Sequence, residues 1–246
     1  MTTKGQMRYG FDVFYDDATQ EFLNVTAPIQ FADDFLGAGH TAGVPAAGSP
    51  TAGYPWVKKI VDTSGTPTAA IVANAAGGVM QCALDATSEK QEATLYQNDQ
   101  KTWDSTKTLI YQARVKLSVL QSASGVEAVW GMSTAWIDGP DNAGEYIEFG
   151  CNGSGVVNMR VQDGISQRAV ATTFTADTNW HLYRIEMDAS GVLHFYIDGV
   201  EYSTSTAPLT WGATVALQLY HSVYKPSGVG VATMQIDSVD AWSPRT

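Results

Sequence analysis

The stretch that decides the fold is Trp180-His-Leu-Tyr-Arg-Ile-Glu-Met187, followed by Asp188-Ala-Ser-Gly191, Val192-Leu-His-Phe-Tyr-Ile197 and Asp198-Gly199. Side chains alternate along a strand, so His181, Tyr183, Ile185 and Met187 share one face and Leu182, Arg184 and Glu186 the other. Asp188 to Gly191 turns the chain and Val192 to Ile197 returns. Asp198-Gly199 is a strong short-range hairpin signal. Working outward, Leu109-Ile-Tyr-Gln-Ala-Arg-Val-Lys-Leu-Ser-Val-Leu120 alternates over a full strand, Ser-Ala-Ser-Gly125 supplies a turn, and Val126 to Trp136 is expected to pair back with it. Further strands are expected at 68–73, 78–84, 91–97, 145–150, 155–161, 167–173, 200–204, 214–222 and 231–241. No window carries a capped stripe of helical period. Short strands without crossover helices imply an all-β chain, an antiparallel two-sheet jelly-roll sandwich.

The remaining composition narrows the function. The chain has 246 residues, a formal net charge of −11 and only 16% charged residues. That charge repels phosphate backbones and anionic lipid, so neither nucleic acid nor a membrane surface is an expected partner. The start, Met1-Thr-Thr-Lys-Gly-Gln-Met-Arg8, has no apolar run like that of a secretory signal, and no span approaches the roughly 20 apolar residues of a membrane helix. A soluble protein made in a cytoplasm is the expectation. Cys82 and Cys151 lie on alternating patterns beside apolar neighbours and are read as buried thiols.

Two stretches break the strand rhythm. Residues 1–30 are polar to mixed, with scattered aromatics, and read as an irregular N-terminal arm ahead of a sandwich at 31–246. Residues 37–57 are rich in Gly, Ala and Pro and cannot form a long regular element. Such a loop is either a surface loop or a segment ordered by a partner chain.

Three local patterns resemble the concanavalin A-like lectin and glucanase superfamily, which includes laminin G-like domains. They are the acidic-aromatic opening Phe31-Ala-Asp-Asp-Phe-Leu36, the hairpin at 180–200, and the closing Met234-Gln-Ile-Asp-Ser-Val-Asp-Ala-Trp242. A second resemblance is to proteins of tailed bacteriophages, which combine an opening like Ala32 to Pro50 with an ending like Ser227 to Val239. It implies a virion protein assembled in a host cytoplasm. The function expected from these together is capsid decoration or a head fibre, attached to other virion proteins or to itself through residues 1–30 and 37–57. The alternative is a virion adhesin that binds a cell-surface glycan.

Superfamily glucanases carry Glu-x-Asp-x-x-Glu on one strand, bringing nucleophile and acid to roughly 5 Å. In Gly144-Glu-Tyr-Ile-Glu-Phe-Gly150 the pattern begun at Glu145 finds Ile147 at the Asp position and Gly150 at the second Glu position. Glu145 and Glu148 lie an odd number apart and face opposite sides of a regular strand. No catalytic residues are therefore assigned, and no enzyme is expected. His40, His181, His194 and His221 show no zinc spacing. Sugar stacking needs aromatic rings beside polar groups, and the candidates are Trp136 with Asp138, Asp141 and Asn142, and Trp211, Tyr220 and Tyr224. Packing of the seven tryptophans in a two-sheet core is the competing use. The superfamily resemblance also implies a structural Ca2+ where the first and last strands meet. Asp34 and Asp237 are its candidate ligands, or else two edge carboxylates bonded to loops.

Overall fold

The computed structural model describes residues 3–8, 11–16, 29–36, 43–51, 54–75, 77–100, 102–203 and 209–244. In chain order its strands are β1 (Thr3–Arg8), β2 (Phe11–Asp16), β3 (Ile29–Asp33), β4 (Val57–Val61), β5 (Thr68–Ile71), β6 (Met80–Ala83), β7 (Gln91–Tyr96) and β8 (Trp103–Asp104). They continue as β9 (Leu109–Val119), β10 (Glu127–Ser133), β11 (Glu145–Asn152), β12 (Val156–Asp163), β13 (Gln167–Thr175), β14 (Trp180–Met187) and β15 (Val192–Ile197). The last four are β16 (Val200–Glu201), β17 (Leu209–Thr210), β18 (Ala216–Lys225) and β19 (Thr233–Ser243). Among the described residues the one helical element is a short 3-10 turn, Pro140–Asn142.

Two antiparallel sheets form the body. One is eight-stranded in the order β13-β12-β11-β10-β18-β7-β4, with β8 also on β18. The other is nine-stranded in the order β16-β15-β14-β9-β19-β6-β5, with β17 on β15 and β3 on β19. This is the expected jelly-roll sandwich. The alternation read from β14 holds, since Tyr183, Ile185 and Met187 are buried. Asp198 and Gly199 both take positive φ, 52° and 80°, as the tight turn joining β15 to β16 requires. The closing strand β19 lies beside β3, with Val239 opposite Asp33.

Aromatic packing between the sheets fills the core. Trp130 and Phe149 from one sheet meet Tyr183 and Phe195 from the other, with ring centroids 4.8 Å apart for Trp130–Tyr183 and 5.2 Å for Phe149–Phe195. Cys82 and Cys151 are buried free thiols, as read from sequence.

Three expectations change. The segments at 109–120 and 126–136 do not pair as a hairpin: β9 lies between β14 and β19, whereas β10 lies between β11 and β18 in the opposite sheet. The intervening turn docks on the loop before β19, where Ser122 N donates to Val231 O at 3.1 Å, so it carries the chain across the core. The segment read as an irregular arm contains a regular hairpin, β1 with β2, forming a two-stranded sheet of its own. Part of the Gly/Ala/Pro-rich segment is ordered by its own chain. Ala47 N donates to Lys58 O and Lys58 N to Pro45 O, each at 2.8 Å, along the edge of β4, and Val44 and Trp56 are buried. Two apolar anchors and an open strand edge order a stretch whose composition is poor in apolar residues; residues 37–42 and 52–53 lie outside the described residues.

Candidate functional site

On the eight-stranded sheet, Trp130, Ile147, Phe149, Val161 and Leu219 point into the core. Their alternates face away from the other sheet, and that outer face carries the polar residues. The β11–β12 hairpin places Glu148 opposite Arg160 and Gly150 opposite Asn158. Arg160 Nε lies 3.3 Å from Glu148 Oε1, and its Nη1 lies 3.4 Å from Glu127 Oε2 on β10. The guanidinium also stands over the Tyr146 ring, 5.5 Å from its centroid. Its stem crosses Gly150 so closely that a Cβ there would stand 2.4 Å from Arg160 Cδ. Only glycine leaves room for the arginine to lie flat.

Burial sets the electrostatics. The Glu148 side chain is 1% exposed, and burial first, then the Glu127 charge, pushes its carboxyl well above the usual range. Burial lowers the Arg160 value, and the Glu127 charge opposes that shift. Beside this group lies a hollow of about 360 Å³ lined by Glu127, Gly150, Asn152, Asn158, Arg160 and Gln167. Its size falls near the lower end of the roughly 300–1,000 Å³ of small-molecule sites. Glu145 sits at the start of β11, where Thr134 Oγ1 donates to its Oε2 at 3.0 Å, and its odd spacing from Glu148 puts the two on opposite faces.

The other half of the outer face is covered by the β10–β11 connection. Trp136 packs on Val57, Tyr96, Val129 and Tyr220. Its indole N–H donates to Glu92 Oε1 at 2.8 Å, and Gly139 N donates to Glu92 Oε2 at 3.0 Å. Thr94 Oγ1 bonds the same buried carboxylate at 2.6 Å. Lys90 pairs with Asp138 at 2.5 Å, and Lys59 Nζ stands 4.5 Å from the Trp136 ring centroid.

Of the sequence-derived glycan candidates, the structure places Trp136, Asp138 and Asn142 on this connection, a strap over Glu92, and Tyr220 and Tyr224 on β18 against it. Asn142 Nδ2 donates to Asp138 O, and Tyr224 lies against Gly139. Trp136 and Tyr220 both donate to Glu92, Asp138 pairs with Lys90, and Tyr220 is only 2% exposed. Trp211 is a core residue away from the strap, so its ring offers no stacking surface. The Asp141 side chain lies outside the described residues.

Among solved structures, one similar fold is a protein of unknown function from Shewanella oneidensis MR-1, at 11% identity and TM-score 0.61, covering 92% of this chain and 91% of that one. Another is a Bacillus licheniformis beta-glucanase, at 14% identity and TM-score 0.54, covering 88% and 98%. A third is the Emp47p carbohydrate recognition domain, at 8% identity and TM-score 0.53, covering 85% and 96%. The chain has the concanavalin A-like fold. No family model and no curated protein sequence matches it.

Within this concanavalin A-like sandwich the meeting of first and last strands can be compared with what calcium needs. Asp237 occupies the bulge of β19 between Ile236 and Ser238, and its Oδ2 accepts Arg114 Nη1 at 2.7 Å. Asp34 Oδ1 accepts the N–H of Leu36 at 3.1 Å. Both approach the Gly77–Gly78 turn. Calcium takes about six to eight oxygens, and among the described residues no cluster of three His, Cys, Asp or Glu could hold a metal. One carboxylate already faces a guanidinium, which competes with a cation for its charge.

Sequence reasoning passed over Arg160, Glu127 and Glu92. Arg160 had a signal: Glu148 and Arg160 sit symmetrically about the Asn152-Gly-Ser-Gly155 turn, so a tight hairpin pairs them across strands. Glu92 had none, because apart from Thr94 its partners come from β18 and from a connection whose path no local pattern specifies.

Proposed function

We propose that the chain is a non-catalytic, lectin-like surface protein of a tailed-bacteriophage particle that holds a sugar unit in the hollow beside Arg160. The observation that carries this reading is the Arg160 stem lying across Gly150. Gly150 is the position where the glucanase pattern would place its second carboxylate. A retaining pair needs two carboxyl groups about 5 Å apart; here the space at Gly150 is taken by a cation paired with Glu148 and Glu127, while Glu145 lies on the opposite face. The polar lining that sugar hydroxyls need is kept. A shared fold with both a carbohydrate recognition domain and a beta-glucanase is compatible with binding and decides nothing about chemistry. In this reading the sandwich requires no calcium, since Arg114 meets the Asp237 charge.

The virion setting, with assembly in a host cytoplasm, is supported by the phage-like stretches at 32–50 and 227–239. A second reading, head decoration without a sugar ligand, is favoured by the strap that closes half the sheet face and by the β1–β2 hairpin, a separate sheet suited to attachment. A printed glycan array probed with the full chain and with Arg160→Met, both checked for folding by circular dichroism, tests the main reading. Wild-type binding that the variant loses by about tenfold or more is expected; no wild-type binding at any density contradicts it. Labelled virions separate the settings, with many evenly spaced copies on the head for decoration and few at the tail tip for adhesion.

A further inference from the structure

We infer that the hollow selects neutral sugars over acidic ones, and that Glu127 is the residue that rejects the acids; this rests on reading the hollow as a sugar site. Arg160 is the one cationic side chain in the lining, and it is already held between two carboxylates, at 3.3 Å from Glu148 and 3.4 Å from Glu127. With Glu148 ionised the group carries a net negative charge, and with Glu148 protonated it is neutral. In neither state is positive charge left over for a ligand carboxylate.

Glu127 is the partner that meets the ligand. Its side chain is 20% exposed and lines the hollow, whereas Glu148 is 1% exposed behind the guanidinium. A uronic or sialic acid would have to displace Glu127 from Arg160 or lie beside it, and like charges placed together at a partly desolvated site act against the wrong ligand. The amides reinforce the preference. Asn158 Nδ2 donates to Val156 O and Gln167 Nε2 to Tyr146 OH, so one of the two N–H donors of each amide is already used within the protein. Carbonyl and carboxylate acceptors suit hydroxyl donors. The −11 net charge adds a long-range field of the same sign.

The test uses the full chain and matched probes: methyl glucoside against glucuronic acid, and methyl galactoside against galacturonic acid. Binding is followed through the side-chain amide resonances of Asn152, Asn158 and Gln167. At least one neutral member is expected to shift these resonances, with its acid at least about tenfold weaker. Glu127→Gln is expected to narrow that gap to about threefold by improving the acid, leaving the neutral sugar nearly unchanged. An acid that binds wild type as well as its neutral partner overturns this inference and leaves the sugar-site reading intact. Absence of binding by every probe overturns both. Because the wild-type pairs decide the matter, the outcome does not depend on the variant folding.

Discussion

Gly150→Ala is the substitution whose consequences follow most directly from the packing. The new methyl would stand 2.4 Å from Arg160 Cδ and 2.9 Å from Nη1, so the arginine stem must lift off the sheet. Lifting breaks its contacts with Glu148 and Glu127 and its position over Tyr146. The φ of Gly150 is not positive, so alanine brings no backbone strain and reduces unfolded-chain entropy, worth about 0.4–1 kcal/mol in its favour. Against that, removing one partner of a buried ion pair costs about 3–5 kcal/mol, less where the orphaned acid takes a proton. Glu148 is inclined to do so, because burial and then Glu127 already hold its carboxyl above the usual range. A net loss of about 2–3 kcal/mol at pH 7 is expected, or roughly 4–12 °C in Tm for a chain of this size. Thermal unfolding followed by far-ultraviolet circular dichroism measures it. The gap between variant and wild type should narrow as pH falls, because a protonated Glu148 no longer offers Arg160 a charge, and adding Gly150→Ala to Arg160→Met should cost little more, since both remove the same contacts. A variant melting within about 1 °C of wild type at pH 7 refutes the claim that the arginine is pressed on the glycine.

Other outcomes follow from the same geometry. Trp136→Ala removes the indole donor to Glu92 and the ring that covers Val129 and Tyr220, so a loss of about 2–4 kcal/mol and faster proteolysis at residues 134–144 are expected; unchanged cleavage contradicts the strap. His181 lies between Asp198 Oδ2 at 2.6 Å and Asp177 Oδ1 at 2.9 Å. Burial opposes its charge, but the two carboxylates outweigh burial and raise its pKa. The stabilisation it adds is therefore full below the unfolded value of about 6.5 and fades as pH rises through the raised folded value. Chemical denaturation of wild type and His181→Gln across pH 5–9 should show their difference shrinking with pH, and a constant or growing difference is the contrary result. Chelation with EDTA is expected to move Tm by less than about 1 °C, whereas a fall of several degrees restored by Ca2+ would show that the Asp34–Asp237 junction holds the ion after all.

The fold was legible where it depends on local alternation. The β14 and β15 faces, the Asp198-Gly199 turn and the positions of β11, β12, β18 and β19 all follow from period-two patterning and turn chemistry. The pairing of 109–120 with 126–136 did not, because a strand buried on one face looks the same whether its turn folds back within a sheet or crosses the core. The ordering of residues 43–51 was hidden for a related reason: two buried anchors, Val44 and Trp56, and the open edge of β4 outweigh an unpromising composition. At the site, the failure of the carboxylate pattern at Gly150 was visible in sequence, while its physical meaning was not. The Arg160 stem fills that position from the neighbouring strand. Of the aromatic candidates, Trp136 and Tyr220 lie together, packed on each other and hydrogen-bonded to Glu92, a pairing set by long-range strand order that no local pattern carries.

On the proposed function, the outer face of the eight-stranded sheet binds sugar without cleaving it. The most direct measurement incubates the full chain with laminarin, mixed-linkage glucan, agarose and host-envelope polysaccharide, scoring retained polysaccharide and released reducing ends in the same samples. Retention of at least one polysaccharide with no release above buffer is the predicted result. Release by wild type that is abolished in Glu148→Gln would contradict the account.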